Sequence, residues 1–142
     1  MPLDAQAEAE AGLSPRRTLK AWSYITPLPL DTSAEERAKL KLIQRILCGS
    51  KPTSQSDERD VRIVFTAAKY HGILITADGA SNSQPRGILG AASQLRDSVG
   101  AQVISAADAV ELIRRKIVAR DNFTRRFCAR RQLPLPDWVG AD

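Results

Sequence analysis

Asp60 to Asp78 reads D-V-R-I-V-F-T-A-A-K-Y-H-G-I-L-I-T-A-D. Val61, Val64, Ala67 and Ala68 recur at the spacing of one helix face, and Gly72 ends the pattern. Ile73 to Thr76 is a short continuous apolar run, the composition of a strand buried on both faces, and Asp78-Gly79 closes it as a turn. The spacing therefore predicts a helix opened by Asp60, then a short strand.

The same alternation continues on both sides. Upstream, Ser33-x-x-Glu36 is a capping box, and behind it Leu40, Ile43 and Leu47, flanked by Leu42 and Ile46, predict an amphipathic helix that stops at Gly49. Residues 50–56 form a polar linker. Downstream, polar residues 80–86 lead to a helix with Ile88, Leu89, Ala92 and Leu95 inside. Gln102 to Ile104 is a second short strand. Ser105 with Asp108 caps a helix through Val110, Ile113 and Ile117, which the basic segment extends or follows with a new helix near Asn122. Helix–strand–helix–strand–helix calls for a parallel sheet in an α/β, Rossmann-like three-layer arrangement.

The ends differ in character. Residues 1–12 are an Ala/Glu-rich leader, Ser14-Pro15 reads as the start of a short helix through Leu19 and Trp22, and Tyr24 to Leu30 is apolar with two prolines, as in an edge strand. The expected organisation is a leader at 1–12, an α/β domain at 13–120 and a basic, Pro-containing extension at 121–142.

Composition narrows the chemistry. Apolar and charged fractions of 43% and 26% are those of a globular chain. Cys48 and Cys128 lack any CxxC spacing, which argues against zinc and against a disulfide framework, and His71 is the sole histidine. That histidine, beside Gly72 at a helix end, is expected to satisfy terminal carbonyls. Neither a signal peptide nor an apolar run of membrane-spanning length is present, so a cytoplasmic location is expected. Between Arg114 and Arg131 eight Lys/Arg face one acid, a local +7, so the rest of the +5 chain nets −2. Arg114, Arg115, Arg125, Arg126, Arg130 and Arg131 are candidate nucleic-acid contacts, with a solvated helix face as the plainer reading. Phe123 and Phe127, four apart, read as a core or docking stripe rather than a base-stacking platform, and Trp138 is free to dock on its own domain or a partner.

In parallel α/β sheets the productive crevice lies beyond the carboxyl ends of the strands. Asp78 falls two residues past Thr76, and a helix opened by Asp60 runs away from that edge before the strand returns to it. The two carboxylates, eighteen positions apart in sequence, can therefore converge, and converging carboxylates suit hard divalent cations. Taken singly, Asp60 reads as a helix cap and Asp78 as a turn residue. The segment Ser81 to Arg86 lacks the glycine spacing of a phosphate loop.

Taken together, Asp60 to Asp78 resembles the signature of PIN-domain ribonucleases: an Asp on a helix, apolar positions and a small Ala inside it, a short strand, then Thr-x-Asp. G-A-Q-V-I-S-A-A-D-A-V-E-L-I is similar to the family's last strand and helix, and the likeness spans roughly residues 20–118. It implies a PIN-like fold lacking its front strand and the acid that ends it. It also implies a divalent-metal-dependent ribonuclease using Mg2+ or Mn2+, with Asp60 and Asp78 as metal-binding acids and Thr76 orienting the strand end or a water. Ser81 and Asn82 stand where the family often places another polar group, and Asp57 lies near enough to assist. RNA as substrate, an antitoxin protein as partner and a homodimer are further implications. A non-catalytic, degenerate or truncated PIN-like module that binds RNA or a protein through the basic segment stays open beside it.

Overall fold

The computed structural model describes residues 15, 16, 19, 32–50 and 54–141. The expectations for the leader and for the edge strand at Tyr24 to Leu30 lie outside these residues. Of the short helix behind Ser14, only Pro15, Arg16 and Leu19 are described, as helical and exposed. The chain forms two compact units, Met1–Ile104 and Ser105–Asp142.

The first unit runs α1 (Ala34–Cys48), α2 (Gln55–Lys69), β1 (Ile73–Ile75), α3 (Gly87–Gly90), α4 (Ala92–Val99) and β2 (Gln102–Ile104). Helix α1 opens as expected. Ser33 Oγ accepts the Glu36 N–H at 3.2 Å, and Glu36 Oε2 accepts the Ser33 N–H at 2.8 Å. It ends at Gly49, whose φ of 65° only glycine adopts without strain.

Helix α2 corrects the expected start. It begins at Gln55, not at Asp60, because Ser54-x-x-Asp57 is a second reciprocal capping box. Two orphan amides satisfied together outweigh a lone aspartate further along. Asp60 therefore sits in the second turn, and Gln55 and Ser56 of the expected linker are helical.

Strands β1 and β2 pair in parallel, with Ile73 opposite Gln102, Leu74 opposite Val103 and Ile75 opposite Ile104. Among the described residues the fold is thus mixed α/β with a two-stranded parallel sheet. The expected burial of β1 on both faces is not found. Leu74 packs against the core, whereas Ile73 and Ile75, of opposite pleat, are 46% and 53% exposed. The core joins Ile43 and Leu47 of α1, Val61, Val64 and Phe65 of α2, Ile88, Leu95 and Val99 of the α3–α4 stretch, and Val103 of β2.

The second unit is one continuous helix, α5 (Ala106–Arg131), opened by Ser105, whose Oγ accepts the Asp108 N–H at 3.1 Å. Val110 and Ile113, expected inside, are 46% and 55% exposed, and the buried positions are Ala109, Asp121 and Cys128. The Pro-containing tail folds back on the helix. The Gly140 N–H donates to Asp121 Oδ2 at 2.8 Å, and the Arg120 guanidinium lies 4.6 Å from the Trp138 ring centroid. No described helix is long and apolar enough to cross a membrane.

Candidate functional site

Thr76 and Asp78 are placed by the end of β1. The ladder runs one step past the strand, with the Thr76 N–H donating to Ile104 O at 3.2 Å. Thr76 Oγ1 then accepts the Asp78 N–H at 3.0 Å, a side-chain turn that turns the chain and holds Asp78 at the strand end. Asp78 Oδ2 accepts the Ile88 N–H at 2.9 Å, and its carbonyl accepts the Leu89 N–H at 3.3 Å, tying the aspartate to α3.

Asp60, from the second turn of α2, meets them. A cleft of about 340 Å³ is lined by Asp60, Thr76, Asp78 and Ser56 on its polar side and by Ile63, Leu74, Ile75 and Ile88 on its apolar side. The two expected acids and Thr76 thus share one cleft beyond the carboxyl end of β1. The accessory residues Asp57, Ser81 and Asn82 are not among the described residues that line it. A larger cleft of about 540 Å³, lined by Leu40, Lys41, Gln44, Glu58, Val61 and Arg62 among others, has basic and acidic groups but, among the described residues, no pair of carboxylates.

Asp57, expected as a loose helper, is instead a buried linchpin with 2% of its surface exposed. Its Oδ2 accepts the Ser54 N–H and hydroxyl, each at 2.8 Å, and its Oδ1 accepts the Ser83 hydroxyl at 2.8 Å and Gln84 Nε2 at 3.1 Å. The Ser54 amide, then Gln84, the Ser54 hydroxyl and Ser83, hold the carboxyl far below the usual carboxylate range against the opposing effect of burial. With four donors on it, Asp57 is a structural ion.

Gln84 gave no signal in the sequence. It is 3% exposed, and its Nε2 donates to both Asp57 and Asp60, so one amide bridges two carboxylates of α2. The loop is wound around it: Ser81 N–H and Gly87 N–H both donate to Gln84 O, at 2.8 and 3.0 Å, and Ser81 Oγ accepts the Gln84 N–H at 3.1 Å. Ser81 therefore shapes the loop, while Asn82 is exposed. Gln84 Oε1 is buried, and among the described residues nothing donates to it. The negative field of this group reaches α1. Burial, then the Asp57 and Asp60 carboxylates, push the Cys48 thiol up, which keeps it a protonated, unreactive core residue.

The donor set fits a divalent cation of the Mg2+ kind. Such ions bind through one or two carboxylates and keep their remaining positions for water and substrate phosphate. Asp60 and Asp78 supply the two carboxylates, and no described residue donates to the second oxygen of Asp78. Among the described residues no three His, Cys, Asp or Glu side chains converge as a metal cage.

In the second unit the six candidate arginines separate. Arg114 pairs with Glu111 at 2.8 Å, and Arg115 Nε donates to the Glu111 carbonyl at 3.4 Å. Arg126, Arg130 and Arg131 gather with Phe123 and Phe127 around a cleft of about 430 Å³.

No family model matches the chain, and neither the curated proteins nor the solved structures contain a match to it. The functional reading therefore stands on the chemistry of these residues.

Proposed function

We propose that this chain is a PIN-like domain that cleaves RNA with Mg2+ or Mn2+ held by Asp60 and Asp78. One observation carries the reading: two carboxylates from distant parts of the chain, with Thr76, line a single cleft past the carboxyl end of a parallel strand. A divalent cation bound there supplies charge stabilisation for a phosphoryl oxygen and a more acidic water. Asp60 and Asp78 offer it oxygen ligands, and Thr76 fixes the turn that presents Asp78. Ile63, Leu74, Ile75 and Ile88 complete the lining of the cleft. The PIN-like, three-layer assignment, a neutralising protein partner and a homodimer belong to the same proposal.

The test is cleavage of labelled RNA by the purified chain under Mn2+, read beside Mn2+ binding. Asp60→Asn and Asp78→Asn are each expected to lower cleavage and Mn2+ affinity about 100-fold. Both keep side-chain hydrogen-bonding capacity, so helix content is expected to stay at the parental value. RNA left intact by the parent chain at saturating Mn2+ overturns the reading.

The bridging Gln84 amide favours a second reading. A neutral donor already satisfies Asp57 and Asp60 together, as it would in a non-catalytic module that binds RNA without cutting it. That reading expects RNA binding that survives loss of both Asp60 and Asp78 and no cleavage under any divalent ion.

A further inference from the structure

The C-terminal half of α5 carries an arrangement that neither cleavage nor stability requires. Phe123, Phe127 and Arg131 follow one another at four-residue steps, so they form a single row along the helix. The two rings lie 6.3 Å apart, 18° from parallel, and the Arg131 guanidinium lies 6.0 Å from the Phe127 centroid. Arg126 and Arg130 form the neighbouring row, and the five side chains line one cleft. The rings are not a core: Phe123 is 66% and Phe127 47% exposed. Two phenylalanines stacked in solvent and bordered by cations make a flat, positively charged surface.

We propose that this surface binds single-stranded RNA, with Phe123 as the platform for a base and Arg126, Arg130 and Arg131 as contacts to the flanking phosphates. Charge and shape select this occupant. The segment from Arg114 to Arg131 carries +7, and among the described residues none of the three arginines pairs with a carboxylate. That density suits a polyanion and repels a second copy of the same helix. Exposed aromatic faces stack on unpaired bases, whose faces a duplex conceals. Duplex nucleic acid would use the arginines alone and leave the rings idle. The choice of RNA over DNA rests on the function proposed above, whereas the stacking surface does not.

Binding is measured by fluorescence anisotropy of a short labelled oligouridine with the full chain in EDTA, where cleavage plays no part. Phe123→Ala with Phe127→Ala is expected to weaken binding about 10- to 100-fold. The same pair changed to Leu, which keeps apolar volume but removes the π-face, is expected to match the alanine pair. Changed to Trp, it is expected to bind at least as tightly as the parent. Ala and Leu are better helix formers than Phe, so α5 is retained, and circular dichroism checks this. Changing Arg126, Arg130 and Arg131 to Gln is expected to flatten the salt dependence by about two in slope, at ~0.7 per phosphate contact. Parental affinity in the leucine pair, equal affinity for duplex RNA, or no binding by the parent overturns the proposal. Equal affinity for oligothymidine overturns the choice of RNA. Because this readout is taken without divalent ion, it does not depend on the metal site proposed at Asp60 and Asp78. Failure to cleave with binding intact therefore counts against the nuclease reading alone.

Discussion

Replacing Gly87 by alanine is expected to destabilise the first unit by about 4 kcal/mol, through the loop that frames the cleft. Gly87 has a φ of 61°, a left-handed conformation that costs a residue with a Cβ about 1–2 kcal/mol. The greater part is steric. A Cβ at Gly87 would lie 2.0 Å from Gly79 O and 2.3 Å from Gly79 C, and both are backbone atoms that no rotamer change removes. Relief requires the two arms of the loop to separate. That would break the Gly87 N–H bond to Gln84 O and loosen the Ile88 bond to Asp78. Gly100→Ala is the control. Its φ of 76° is just as unfavourable, but its Cβ would meet nothing within 4 Å, so only the backbone strain of about 1–2 kcal/mol is expected. Urea titrations of the two variants measure the difference, which reads the overlap at Gly79. Equal midpoints for both would mean that the loop yields without cost.

Asp57→Ala is expected to cost about 2–4 kcal/mol, a sizeable share of the roughly 5–15 kcal/mol that holds a domain folded. The substitution removes the cap of α2, worth about 1 kcal/mol. It also leaves the Gln84 amide and the Ser83 hydroxyl without their shared acceptor in a buried site, at about 1–3 kcal/mol more. Because the folded-state carboxyl is held below its unfolded value, its ionised form stabilises the fold fully above the unfolded pKa near 4. That contribution is lost progressively as pH falls below 4 towards the depressed folded value. Asp57→Asn, which cannot titrate, is expected to be less stable than the parent at pH 7 and to show a shallower loss of stability between about pH 4 and 2. Parallel acid-unfolding curves for the two proteins would remove Asp57 from this role.

How much of this was legible before the structure depends on whether the signal was local. Ser33 and Glu36 carry their own partner three residues away, so α1 could be read with its ends. The parallel pairing of β1 and β2 followed from helices lying between short apolar runs. A shared cleft for Asp60 and Asp78 was expected from a helix opened by Asp60, whereas it arises with Asp60 in the second turn of a helix that starts at Gln55. The start of α2 was readable too, since Ser54 and Asp57 repeat the Ser33 pattern, but the stronger reading of Asp60 masked it. Gln84 was beyond reach: its role depends on a loop closing over α2, and nothing in Ser-Gln-Pro-Arg marks the glutamine that will be buried. Phe123 and Phe127, read as a core or docking stripe, are a different case: the exposed rings are not core. Spacing placed them on one helix face, but spacing does not say what, if anything, covers that face.

The exposed Ile73 and Ile75 have a practical bearing on all of these measurements. Among the described residues the sheet has two strands, and chains that part on heating would meet one another along its edges before they refold. Heating is therefore expected to end in turbidity at a temperature that depends on scan rate, reporting a rate rather than an equilibrium. Denaturant titration of dilute protein, checked for coincident unfolding and refolding curves, is the route by which the free energies above become measurable.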